Sequence, residues 1–459
     1  MLPRFEVVAR RRPVDLVAPG SVQLDEPLTA ELSADTPQPA PYVAVSAVLA
    51  APTGPAAPGG GRLVLELTSG PVRLVGRWDV ASGTVCLEVH TGDRVSEHRS
   101  RRHGRLPAPV EALGLALTGT HLAVLTRGAD GWAARGRVDL RDRVDTRGEA
   151  FLAALRSGQR WDGPGRPPEG RLLAGGFGQL GLRDVRLVSE PDGTPYRREG
   201  RLLLTATSAG PGFFDTAHTS VWSLDPGTLE LGHDADLFFR RPGRPGVFGD
   251  HATHLVRAGD EWLVATSTWG DFDPSRTGAT VGATLARTRA DLTSGRHVLD
   301  TRRLALPTDG LRSVGVWDPY LVHADGRWLV GFVSARKFFR FHPALAEGPD
   351  LDRLTLRAAA RDRTATEGTT LARLDGDWRV LASDGRDGRR GQRRGFPVFD
   401  IDLQQVGALD APYPTNIPWP SVVRLDDDRW LMVTFDGTSH GGPLSGYGTH
   451  GDLVVLRTS

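Results

Sequence analysis

Trp317-Asp318-Pro319-Tyr320-Leu321-Val322, closed by an Asp325-Gly326 turn and answered by Arg327-Trp328-Leu329-Val330, is the stretch that decides the fold. An acidic lead-in enters a short apolar run, an acidic Gly turn reverses the chain, and a Trp opens a second apolar strand. The phrase returns on both sides. Upstream are Asp250-His251-Ala252-Thr253-His254-Leu255-Val256, running to Glu261-Trp262-Leu263-Val264, and Arg183-Asp184-Val185-Arg186-Leu187-Val188. Downstream, Glu367-Gly368-Thr369-Thr370-Leu371 runs to Asp375-Gly376-Asp377-Trp378-Arg379-Val380. The last copy is Asn416-Ile417-Pro418-Trp419-Pro420-Ser421-Val422-Val423, running to Asp428-Arg429-Trp430-Leu431. Five copies of strand and turn after about residue 180, at a period of roughly 50 to 70 residues, are the pattern of a β-propeller.

The chain before them has another texture. Residues 1–165 show alternating strands at 42–49, 62–67, 72–80, 84–90, 113–117 and 121–126, separated by Gly, Pro and Asp. Period-2 alternation with frequent turns predicts an antiparallel β-sandwich. Its 115–125 segment resembles the hairpin of jelly-roll, laminin-G-like and concanavalin-like modules. Residues 51–61, rich in Pro, Gly and Ala, read as a surface loop. A short helix is expected in 149–157, and the Pro/Gly-rich run 163–170 sets the boundary. The expected organisation is all-β: a sandwich over 1–165, then a five-bladed propeller over 166–459.

Composition removes several classes of partner. Among 459 residues, 56 Lys and Arg face 55 Asp and Glu, so no bulk field draws nucleic acid or an anionic membrane. A single cysteine, Cys86, excludes an internal disulfide, and its strand context reads as buried. The N-terminal residues contain no apolar signal region, and no run reaches the ~18 apolar residues of a membrane span. The expectation is a cytoplasmic protein.

Propeller blades set their innermost strands along the axis, so the lead-ins converge on a funnel. Asp184 and Asp318 stand in one register, each before a Leu-Val pair, and Glu367 stands one residue earlier in its own copy. Asp250 offers a fourth acid. Carboxylates crowded together cannot all ionise freely, and an acid with a raised pKa beside an ionised one is what glycosidic cleavage requires. An Asp before a strand also caps turns, which is the competing reading for each of them.

With these residues in view, the C-terminal region resembles the five-bladed propeller glycoside hydrolases typified by family 43, and the related fructan-cleaving families. Trp317-Asp318-Pro319-Tyr320 matches that family's blade-three phrase, and Glu367-Gly368-Thr369 keeps two residues of its Glu-Gly-Pro. Arg183-Asp184-Val185 carries the blade-one acid without the usual proline. The resemblance implies Asp184 as general base, Asp318 as the group that tunes the acid, and Glu367 as general acid. It further implies a single inverting displacement on a furanoside or pentoside, with an oligosaccharide or glycoside as substrate. Glu347-Gly348-Pro349 is a literal copy of the acid motif, but its surroundings read as an outer-strand turn.

Around the acids, Asp250, His251 and His254 are candidates for sugar hydroxyls, and Trp269, Trp317 and Trp419 for stacking on a sugar face. The arginine-rich loop 386–395, beginning at Arg386, reads as a solvated loop or as an arm over the funnel that binds a uronate or phosphate. His251 and His254 with one acid are too few ligands for zinc. No cofactor is expected. The family's axial cation, a structural Ca2+, would need His440 or His450, since the fifth lead-in has no histidine. Two other functions stay open: a phosphorolytic enzyme on the same fold, and a propeller that binds carbohydrate or protein without catalysis.

Overall fold

In the sandwich, alternate residues of Arg62–Ser69 face inward, and Leu63, Leu65 and Leu67 among them are all fully buried. They pack across the gap against Val43, Val45, Leu113, Leu115 and Val124 of the opposite layer. Burying each such side chain contributes roughly 1.5–3 kcal/mol. The computed structural model describes residues 3–53, 60–106, 109–415, 417–426, 429–439 and 450–458. It is 61% strand and 2% helix. No helix in it is long and apolar enough to cross a membrane.

The sandwich has two six-stranded sheets. One runs Gly131–Asp139, His121–Gly128, Val110–Thr118, Tyr42–Thr53, Gly170–Gln179, Asp15–Pro27 in spatial order. The other runs Glu31–Asp35, Arg156–Asp162, Arg62–Ser69, Val72–Asp79, Thr84–Thr91, Arg94–His98. Cys86 is buried as its strand context implied. The helix is shorter than expected, Glu149–Ala153, because Arg156–Asp162 is taken up as a strand.

The domain limits differ from the sequence reading at both ends. Gly170–Gln179 lies inside the first sandwich sheet, so the Pro/Gly run before it is a link within the sandwich. Its glycines allow the close pairing: a Cβ on Gly178 would stand 2.3 Å from the Asp15 carbonyl. Phe5–Arg11 leaves the sandwich altogether and pairs with His450–Thr458 in the last sheet of the propeller. It covers an edge that would otherwise present unpaired backbone groups.

From Leu182 onward the described strands form five sheets in chain order. Their first strands are Leu182–Leu187, His251–Ala258, Gly315–Ala324, Thr366–Leu374 and Ser421–Arg424. These lie side by side around one axis. Ser189 bridges to Val256, the Leu321 amide donates to His254 Nδ1 (3.1 Å), and Arg186 donates to the carbonyls of Asp318 and Thr369 (both 3.0 Å). The ring closes where Ser421 Oγ donates to the Val185 carbonyl at 3.0 Å. Asn416 and Asp428 of the fifth phrase lie outside the described residues.

The sandwich seats directly on the first two sheets. Tyr42 is fully buried, donates its hydroxyl to the Ala217 carbonyl (2.9 Å) and stacks with Phe238. Arg141 reaches from the sandwich to Asp215 and Asp273, both at 2.9 Å, and His121 Nε2 also meets Asp215 at 2.8 Å.

Candidate active site

The first strand of each of the first four propeller sheets is broken at the same place. Register shifts fall between Arg183 and Arg186, His251 and His254, Trp317 and Tyr320, and Glu367 and Thr370. The residue after each first anchor has a left-handed backbone: Asp184 (φ 51°), Ala252 (60°), Asp318 (58°) and Gly368 (75°). Such bulges bend a strand and re-aim its side chains. Asp accepts this conformation better than most residues, and Gly accepts it freely. Asp184 and Asp318 are therefore structural equivalents, with Glu367 one position earlier alongside Arg183, His251 and Trp317.

Asp184, Asp318 and Glu367 line one cavity of about 190 Å3. Trp269, Trp317, Trp419 and His251 line it too, with Phe213, Phe214, Phe272, Phe338, Phe339 and Phe341 forming an aromatic wall. A larger cavity, about 810 Å3, opens at the turn ends of the inner strands and contains none of the three acids. The smaller one holds all three acids.

The acids differ in their surroundings. Asp318 is 2% exposed, and its Oδ2 has no hydrogen-bond partner among the described residues. Burial pushes its pKa well above the usual carboxylate range; Glu367 and Asp184 push the same way, and Arg186 opposes them. Glu367 keeps part of its surface open to the cavity, and its Oε2 accepts a bond from Trp317 Nε1 at 3.4 Å. Burial, then the charge of Asp184, raises it to about 7, while the Trp317 bond pulls it down.

Arg186 is the residue that the sequence reading did not single out. It is fully buried beneath the acids, 4.7 Å over the Trp419 ring and 5.1 Å from that of Tyr320. Burial lowers its pKa, and Asp318, Tyr320, Asp184 and Glu367 all favour its charged form. Its signal was present: an arginine in the middle of an otherwise apolar inner strand. The phenylalanine wall carried no such signal, since apolar residues in loops are common.

Three expected substrate contacts are placed elsewhere. Asp250 is fully buried in an ion pair with Arg241 and accepts the Gly270 amide at 3.1 Å, so it anchors a loop outside the cavity. His254 is packed in the axis, where it lies flat on Tyr320 with ring centroids 3.7 Å apart and meets Ser189 Oγ at 3.3 Å. Burial first, then Arg186, holds its pKa well below the usual histidine range. Arg386 is exposed, lies 3.8 Å from Asp387, and does not line the cavity. His251 does line it, with Nε2 3.1 Å from the Phe214 carbonyl and its pKa lowered by burial. Trp269 stacks on Phe214 at 4.5 Å. Glu347, the literal copy of the acid motif, is bound by Arg357 (2.8 Å) and Arg327 (3.2 Å) in an outer strand.

The axis does not suit a bound Ca2+. Two residues past the bulges stand Arg186, His254, Tyr320 and Thr370. A guanidinium, an imidazole already engaged and a phenol are not the oxygen ligands that calcium takes, and the guanidinium repels a cation. His440 and the side chain of His450 lie outside the described residues.

No family model matches the sequence, and no curated protein matches it. Solved structures do resemble it. A family 43 glycoside hydrolase from Xanthomonas citri, complexed with xylose, is 14% identical; the match covers 60% of this chain and 87% of that one, at a TM-score of 0.42. A family 117 glycoside hydrolase from Zobellia galactanivorans is 11% identical over 61% of this chain and 92% of its own, also at 0.42. A family 32 β-fructofuranosidase from Bombyx mori is 14% identical over 60% and 59%, at 0.39.

Proposed function

We propose that this chain is a glycoside hydrolase, with Glu367 as general acid, Asp184 as general base and Asp318 holding the proton balance between them. The observation that carries this is the meeting of three carboxyl groups from three inner strands in one aromatic-walled cavity. A pKa of about 7 lets Glu367 hold a proton at neutral pH and give it to a departing glycosidic oxygen. Asp184 would draw the proton from a water on the opposite face of the sugar, so that one displacement inverts the anomeric centre. Asp318, buried without a partner for Oδ2, resists ionisation and keeps negative charge from accumulating beside Glu367. The tryptophans and phenylalanines offer flat apolar faces on which a furanoside or pentoside ring stacks.

The test is hydrolysis of a panel of aryl furanosides and pyranosides by wild type, Glu367→Ala and Asp184→Ala, with the first-formed anomer read by proton NMR. Turnover abolished by both substitutions, with an inverted first product, is the expected result. Activity that survives either substitution overturns the assignment, and a retained anomer overturns the single displacement.

A further inference from the structure

A second cavity, about 220 Å3, is lined by Arg312, Arg336, Lys337, Arg340, Arg363 and Arg389, with no carboxylate among its lining residues. Among the described residues only Arg363 of these pairs with carboxylates: its Nη1 lies 3.0 Å from Asp384 Oδ2, and its Nε lies 3.7 Å from Asp362. Arg336 donates to the Arg361 carbonyl, which leaves its charge uncompensated. Arg312, Lys337, Arg340 and Arg389 form no ion pair with a described carboxylate. Like charges gathered around one cavity repel, and a bound anion relieves them. Arginine forks match the planar or tetrahedral oxygens of carboxylate, sulfate and phosphate.

The position matters as much as the charge. Lys337 and Arg340 are paired across a two-residue hairpin tip whose turn residues are Phe338 and Phe339. Those two phenylalanines line the cavity of the three acids, while Lys337 and Arg340 line the cationic one. One hairpin tip is thus a wall shared by both. Arg389 brings in the arginine-rich loop from the next sheet.

We propose that the cationic cavity is an anion subsite, which receives a sulfate, phosphate ester or uronate carried by the sugar bound in the aromatic pocket. The link to a sugar rests on the glycosidase reading. The anion chemistry of the cavity does not.

Calorimetric titration of the whole protein with potassium sulfate, potassium phosphate and methyl glucuronide, at ionic strength held constant with chloride, tests it. Saturable binding of at least one is expected, and the strongest binder identifies the group. Arg340→Ala and Arg389→Ala should each weaken it about tenfold or more, whereas Arg386→Ala should leave it unchanged. All of these arginines are exposed, so near-UV circular dichroism should confirm an intact fold. No saturation above chloride, or affinity indifferent to Arg340 and Arg389, overturns the subsite. The aryl glycoside panel reports separately: anion binding without turnover removes the glycosidase reading, and turnover without anion binding removes the subsite.

Discussion

At Glu367 a half-buried carboxyl is held between the charge of Asp184, which favours the protonated form, and the Trp317 indole, which favours the ionised one. Catalysis by the acid form requires the proton, so kcat/KM should fall as pH rises through about 7. Trp317→Phe removes the bond to the ionised form, and that alkaline limb should move upward; an unmoved limb would mean another group sets it. Glu367→Gln should lower kcat by about 10²- to 10⁴-fold with little change in KM. The same carboxyl links stability to pH. Its pKa is raised from 4.5 to about 7 on folding, so its stabilising contribution is full below 4.5 and is lost as pH climbs through 7. Thermal melts should show wild type weakening from about pH 5 to pH 8 more than Glu367→Gln does. Equal slopes would place the ionisation elsewhere.

At the scale of the element, the bulge is the device that turns a strand into a site. An unbroken ladder would alternate Asp318 and its neighbours between the two faces of the sheet. The one extra residue of the bulge and the positive φ aim the acid at the axis instead. Gly368 shows how tightly this is set, because a Cβ there would stand 2.3 Å from Trp419 Cδ1. Gly368→Ala should therefore cost about 2–3 kcal/mol and displace the Trp419 ring. Urea unfolding and tryptophan fluorescence check both effects, and an unchanged midpoint would show that the bulge has slack. Three copies of the phrase were legible because Asp184, Asp318 and Gly368 mark the bulge, and Asp184 and Asp318 aligned in register from sequence alone; in the second copy the bulge falls on Ala252. Asp250 was misplaced for the same reason: an acid two residues ahead of the bulge looks like a lead-in, yet there it faces Arg241.

At the scale of the molecule, the sandwich is part of the pocket's support. Arg141 holds Asp215 and Asp273, which directly follow Phe214 and Phe272 of the aromatic wall. Arg141→Ala should raise KM about tenfold through misplacement of those rings while leaving kcat in place. A KM equal to wild type would make the sandwich a bystander. The N-terminal strand Phe5–Arg11 ties the two ends of the chain into one sheet, so the order of the sequence is not the order of the domains.

The sequence by itself determined that the chain is all-β, that a strand-turn-strand unit recurs, and which three acids head the inner strands. Those are local properties, written in alternation, turn residues and register. Only the tertiary structure decided where the sandwich ends, which strand covers the last edge, and that Arg186 lies beneath the acids. It also decided that His254 is locked in the axis and that Arg389, rather than Arg386, lines the cationic cavity. Each of these depends on residues far apart in the chain meeting across sheets. Burial and charge at such meetings are set by the packing of the whole molecule and by nothing in the local pattern.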